Sequence, residues 1–215
     1  MFLSDQLGAY YKDLHDERFD PDYRGAIDGR SWWSNTRVWD PRETPSRRIS
    51  DRDLEHVQAL YRGEVAWCDE QIGRLLSALE SMGRMENTLF VITSDHGEAF
   101  LDSKTNPLGH GHDIEQWATH IPLVIAGTGR MTLEPKRLSP VVKISDIGPT
   151  LLSLAGLPSS LGNGQDLSML LNDPEASTGP VFMEASKPKR VETPGRWNNI
   201  GKKQGVVDGN FLMTH

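Results

Sequence analysis

Two unbroken apolar runs, Leu89-Phe90-Val91-Ile92 and Ile121-Pro122-Leu123-Val124-Ile125-Ala126, constrain this chain most. Apolar residues without alternation read as a strand covered on both faces, the pattern of parallel sheets packed between helices. The first run leads into Thr93-Ser94-Asp95-His96-Gly97-Glu98. An acid and an imidazole thus emerge together at the carboxyl end of a strand, where open α/β sheets bind ligands and metals. Adjacent Asp and His offer donors of different hardness, and Gly97 gives a backbone able to bend around an ion. The competing reading is a helix N-cap at Ser94 or Asp95.

Gly109-His110-Gly111-His112-Asp113 lies between the two runs, so that three of the seven histidines fall within seventeen residues. Imidazoles alternating with glycine sit on a bendable loop, where they can donate to an anion or bind metal. A surface loop with incidental histidines is the alternative. Upstream, Ser50-x-x-Asp53 is a helix start of capping-box type, with Asp in place of the usual Glu. Leu54, Val57, Tyr61, Val65, Cys68, Ile72, Leu75, Leu79 and Met82 then recur at three- and four-residue steps as far as Gly83. The stripe predicts a long helix packed on the sheet, with Cys68 as a small buried core residue. Downstream, Ser145 is expected to cap a helix ending at Gly156, with Pro149 in its first turn. Pro180 to Ala185 reads as a strand, and Val206 to Leu212 as two short strands around an Asp208-Gly209 turn. Phe2 to Tyr11 reads as the tail of a helix, and the stretch from Gly25 to Ser50 as irregular and basic, with Trp32, Trp33 and Trp39 interspersed.

The net charge of −7 argues against nucleic acid or an anionic membrane surface as partner. One cysteine allows no internal disulfide. No run approaches the roughly 18 apolar residues of a membrane helix, and Met1-Phe2-Leu3-Ser4 has no secretory pattern. Neither oligomeric state nor localisation has a signal in the chain.

In combination the motifs resemble the sulfatases of the alkaline phosphatase superfamily. Ser94-Asp95-His96-Gly97-Glu98, Gly109-His110-Gly111-His112 and Ile121-Pro122-Leu123 carry the resemblance. Tyr61 to Leu76 resembles the helix ahead of the family's metal strand, and Asp146 to Gly156 the helix behind it. Gly164-Gln165-Asp166-Leu167-Ser168 resembles a later turn, with Asp where Ser is usual. The resemblance runs from about residue 19 to the C-terminus. It implies an α/β fold, an alkaline-phosphatase-like three-layer sandwich with a mostly parallel central sheet and helices on both faces, incomplete here. On that reading residues 1–53 are an irregular segment of the catalytic domain, 54–175 the core with its metal corner, and 176–215 the start of a C-terminal sheet subdomain.

The implied chemistry is hydrolysis of a sulfate ester with a divalent metal: calcium first, manganese or magnesium as alternatives. Asp95 and His96 would be metal ligands. His110 and His112 fall where family members contact the sulfate or the leaving group, with Lys104 as a substitute in the variable loop. The chain also departs from the family. His96 stands where many sulfatases have Asn. The Cys-x-Pro-Ser-Arg segment that yields the formylglycine nucleophile is missing, since Cys68 is followed by Asp69-Glu70-Gln71. The family's N-terminal Asp-Asp pair has no counterpart before residue 54. The chain therefore reads as the second part of a sulfatase catalytic domain, inactive alone. The rival readings are a related phosphonate monoester or phosphodiester hydrolase, and a non-catalytic truncated product.

Overall fold

A computed structural model of the chain describes residues 16–25, 27, 50–100, 108–110, 114–160, 162–186, 202–209 and 211–214. The expectations for Phe2 to Tyr11, for Trp32, Trp33 and Trp39, and for Lys104 and His112 lie outside these residues. Two units divide the chain, one drawn from Met1–Gly83 and Ala99–Gly109, the other from Arg84–Glu98 and His110–His215.

The first unit is organised on a long helix. A short helix α1 (Asp16–Phe19) precedes helix α2 (Asp51–Ser81). Ser50 opens α2 with the reciprocal box its spacing predicts. Its Oγ accepts from the Asp53 backbone N–H at 3.1 Å, and the Asp53 carboxylate accepts from the Ser50 backbone N–H at 3.2 Å. Past Met82 the chain turns at Gly83, whose φ of 65° suits glycine. The segment behind α1 is tied to the first turns of α2. Arg52 donates to both Asp20 oxygens, at 2.7 and 2.5 Å, and His56 Nδ1 lies 2.8 Å from Asp20 Oδ2. His56 is buried and stacks on the Tyr23 ring at 3.6 Å, while the Tyr23 hydroxyl donates to Asp53 at 2.6 Å. The Arg52 hydrogen bond outweighs burial and, with His56, holds the Asp20 carboxyl below the ordinary carboxylate range. Strands β2 (Ala99–Phe100) and β3 (Leu108–Gly109) pair antiparallel, and the Phe100 ring meets Tyr61 edge-on at 5.1 Å.

The apolar stripe of α2 is buried only near its start. His56, Val57, Ala59 and Gly63 are the helix's buried residues, Val65 and Leu75 are exposed, and Cys68 is exposed rather than in a core. Helical periodicity marks which face would be covered; it does not supply the cover.

In the second unit the run at residue 89 is strand β1 (Leu89–Thr93), and α3 (Gln116–Thr119) precedes β4 (Leu123–Gly127). β1 and β4 are neighbours, but antiparallel, in register from Leu89 opposite Gly127 to Thr93 opposite Leu123. Strands β5 (Val181–Ser186), β6 (Lys202–Asp208) and β7 (Phe211–Thr214) form an antiparallel meander, β6 and β7 turning at Gly209 with φ 55°. All pairings among the described residues are antiparallel, which corrects the expectation of a mostly parallel central sheet. Ile92 and Val124 are 41% and 51% exposed, so the β1–β4 pair is not sealed on both faces either. An unbroken apolar run encodes a tendency to be buried and carries no information on strand direction.

Helix α4 (Ile147–Leu154) follows a 3-10 turn at Ile144–Asp146. Asp146, not Ser145, stands at its N-cap. The Asp146 side chain is 1% exposed; Oδ2 accepts from the Lys143 backbone N–H at 2.9 Å and Oδ1 from that of Gln165 at 2.8 Å. Thr150 Oγ1 donates to the Asp146 carbonyl at 2.6 Å and accepts from the Leu167 N–H at 2.9 Å, fastening the turn at 164–168 to α4. Pro149 falls in the first turn, where a missing N–H costs nothing, and Gly156 ends the segment with φ 72°. Among the described residues no helix is long and apolar enough to cross a membrane.

Candidate active site

β1 ends at Thr93, and the next five residues turn a corner built on local hydrogen bonds. Ser94 Oγ donates to the His96 carbonyl at 2.7 Å, and the His96 backbone N–H donates to Asp95 Oδ1 at 2.9 Å. No helix begins behind Asp95; the chain runs into β2. Asp95 faces outward, its side chain 85% exposed.

His96 Nδ1 lies 2.9 Å from the Gly97 carbonyl. A carbonyl only accepts, so the proton sits on Nδ1, and in the neutral ring Nε2 keeps its lone pair. That Nε2 is 3.5 Å from Asp95 Oδ2. Two donors at right angles on one ion, each about 2.1–2.4 Å from it, are about 3 Å apart. The pair therefore fits one edge of a coordination sphere, with the ring tautomer set by a backbone acceptor as is usual for ligating histidines. Among the described residues no group of three or more His, Cys, Asp or Glu converges on a common point. What the corner offers is an edge, not a full donor set.

Gly97 serves a close approach rather than a bend. It does not have a positive φ, but its N–H donates to the Ala118 carbonyl at 2.8 Å, and a Cβ there would lie 1.9 Å from the Trp117 carbonyl oxygen. The backbone of α3 thus lies directly against the corner beside His96.

His110, directly after β3, stacks its ring on His96, centroids 3.9 Å apart and planes 26° from parallel. Its Nδ1 is 3.0 Å from Glu98 Oε2. The structure thus brings Asp95, His96 and His110 together, and His112 lies outside the described residues. Glu98 was not singled out by its residue type. No local pattern marks it, because residues 94–98 turn a corner between two strands and its part depends on His110 across the loop. The Glu98 side chain is only 19% exposed, and its other oxygen, Oε1, is buried with no hydrogen-bond partner among the described residues. Asp95 and His96 line an open groove of about 1610 Å³ whose lining also holds Lys136, Arg137 and Lys143 together with Glu134 and Glu184.

The family model described as Sulfatase matches residues 9–157. Among curated relatives, arylsulfatase K of Bos taurus is 29% identical over 111 residues, 52% of this chain and 20% of that protein. Arylsulfatase K of Xenopus laevis is 27% identical over 177 residues, 76% of this chain and 32% of that protein. The chain spans about a fifth to a third of the length of these relatives. Among solved structures, a phosphonate monoester hydrolase of Agrobacterium radiobacter aligns with TM-score 0.62 and 26% identity, over 80% of this chain and 35% of that one. The phosphonate monoester hydrolase of Silicibacter pomeroyi aligns with TM-score 0.63 at 23% identity, over 81% of this chain and 35% of that one. Both neighbours have the alkaline-phosphatase-like fold.

Proposed function

The chain belongs to the sulfatase family of the alkaline phosphatase superfamily, and from that premise we propose that it carries part of the active site of a metal-dependent sulfuric ester hydrolase. The observation behind this reading is the corner after β1, where His96 Nε2, its proton-bearing partner nitrogen committed to the Gly97 carbonyl, lies 3.5 Å from Asp95 Oδ2. Asp95 and His96 would hold a divalent ion, calcium by preference for carboxylate oxygen, with manganese or magnesium as other candidates. Such an ion, when bound, neutralises charge on the sulfuryl oxygens. The remaining work falls to the chain's own side chains. His110, stacked on His96, would in its protonated form donate to a sulfate oxygen or to the departing alkoxide, a role His112 shares by its spacing.

The sequence holds no Cys-x-Pro-Ser-Arg segment to supply the family's nucleophile. Cys68 lies in the middle of α2 and is followed by Asp69-Glu70-Gln71 rather than Pro-Ser-Arg. On this reading the formylglycine and the other metal ligands belong to another part of the catalytic domain, and the present chain is a portion of it. A second reading, hydrolysis of a phosphonate monoester or phosphodiester, is favoured by the two structural neighbours. The same corner suits either ester, since both carry their charge on oxygens around a tetrahedral centre.

The test uses 4-nitrophenyl sulfate and 4-nitrophenyl phenylphosphonate with the 215-residue chain and with a longer protein carrying Cys-x-Pro-Ser-Arg upstream. The short chain is expected to stay at background. The longer protein should turn over the sulfate ester with a divalent metal and lose about 100-fold or more with Asp95→Ala, the usual scale for a lost metal contact. Turnover by the short chain would refute the partial-site reading, and an unaffected Asp95→Ala protein the ligand role. A preference for the phosphonate would install the second reading.

A further inference from the structure

We propose that Glu98 is a positioning residue for His110: it holds the Nδ1 proton, so that Nε2 is the nitrogen presented to the substrate. The proposal rests on the ester-hydrolase reading only for what Nε2 then does. The geometry leaves the carboxylate one way to act. Glu98 Oε2 is 3.0 Å from His110 Nδ1, and an ionised carboxylate only accepts, so the bond requires the proton on Nδ1. Stacking on His96 at 3.9 Å fixes the plane of the ring, and the hydrogen bond fixes its rotation within that plane. Together they leave the imidazole one orientation and one tautomer. This is the arrangement by which a carboxylate behind a histidine sets which nitrogen faces the chemistry.

Glu98 is also not an ordinary surface partner. An ion pair formed for stability alone gains little at a half-exposed histidine, yet here the carboxylate side chain is 19% exposed and one oxygen is sealed away with no hydrogen-bond partner among the described residues. A buried polar atom left unsatisfied calls for an explanation, and positioning of a reactive group is one. Glu98 does not join Asp95 and His96 in a three-donor metal group among the described residues. Its contact is with the second imidazole.

The test reads the proton directly. Long-range proton–nitrogen spectra of the isotopically labelled chain, taken well above the usual imidazole range so that the rings are neutral, show which nitrogen bears hydrogen. His110→Asn identifies the signals. The wild-type chain should carry the His110 proton on Nδ1. Glu98→Gln, whose amide oxygen still accepts, should keep it there with a shifted resonance, and Glu98→Ala should move it to Nε2. A wild-type chain with the proton on Nε2 would overturn the proposal, as would a Glu98→Ala chain that keeps it on Nδ1. If Glu98→Ala does not fold, the wild-type and Glu98→Gln spectra decide: an Nδ1 resonance indifferent to Glu98→Gln also counts against it. The spectra need no turnover. Their failure would leave the ester-hydrolase reading standing, and a failed hydrolysis assay would leave the Glu98 contact standing.

Discussion

Asp146→Ala should loosen the join between α4 and the turn at 164–168 by roughly 3 kcal/mol. The side chain is 1% exposed and accepts from two backbone N–H groups, those of Lys143 and Gln165. A hydrogen bond to a charged acceptor contributes roughly 1.5–3 kcal/mol. Both donors are only part-buried and regain some water, so the lower end applies to each. Asp146→Asn removes about half as much, because its amide oxygen can serve one N–H while its NH2 faces the other donor. With two units in the chain, a single urea curve mixes transitions. Native-state hydrogen exchange at the Gln165 and Leu167 amides reads the join locally. A loss of roughly 3 kcal/mol corresponds to about 100-fold faster exchange there, with about tenfold for the Asn variant. Acceleration of less than about threefold in Asp146→Ala, against that 100-fold expectation, would show that Asp146 does not hold the two segments together.

Two further outcomes follow from the geometry. The Arg52 hydrogen bond lowers the Asp20 carboxyl below its usual 3.8, so Asp20 contributes stability that is fully present above the usual value and is lost as pH falls through the lowered one. Acid titration followed by exchange at the first turns of α2 should show this loss, and Asp20→Asn should flatten the profile in that acid range; an unchanged acid profile would rule the ion pair out as its source. Gly97→Ala should cost about 1–3 kcal/mol by overpacking, since its Cβ would meet the Trp117 carbonyl at 1.9 Å. It should also part the two imidazoles, read as loss of their mutual ring-current shifts; unchanged shifts would mean α3 does not set the corner.

The elements of this fold were legible wherever the signal is local. Ser50 and Asp53 fix the start of α2 because a capping box involves only residues three apart. The Asp208-Gly209 turn between β6 and β7 is a matter of two backbone dihedrals. What depends on neighbours was not legible. Leu89 to Ile92 and Leu123 to Ala126 announce strands, and they are adjacent, but their antiparallel pairing follows from the path of the intervening chain. The same holds for Cys68: its spacing puts it on the apolar face of α2, and it is exposed. The N-cap of α4 is Asp146 rather than Ser145, and its carboxylate, instead of capping the helix, accepts from the backbone of Lys143 and Gln165.

The site divides along the same line, and the division has a chemical consequence. Asp95 and His96 could be read because they are consecutive, and His110 because glycines flank it. Glu98 could not, since its part depends on which ring lies beside it. Donors from a single strand end can only be near neighbours in sequence, and neighbours along one backbone supply an edge of a coordination sphere. A full sphere needs acids from several strand ends of an α/β sheet. On the proposed reading, the acid–imidazole pair found among the described residues would be completed by donors from other strand ends. Asp95 fits such a part: its side chain is exposed, and Oδ2 lies beside an imidazole nitrogen that in the neutral ring has no proton to give it. That oxygen can take up an ion without first giving up a hydrogen bond within the protein.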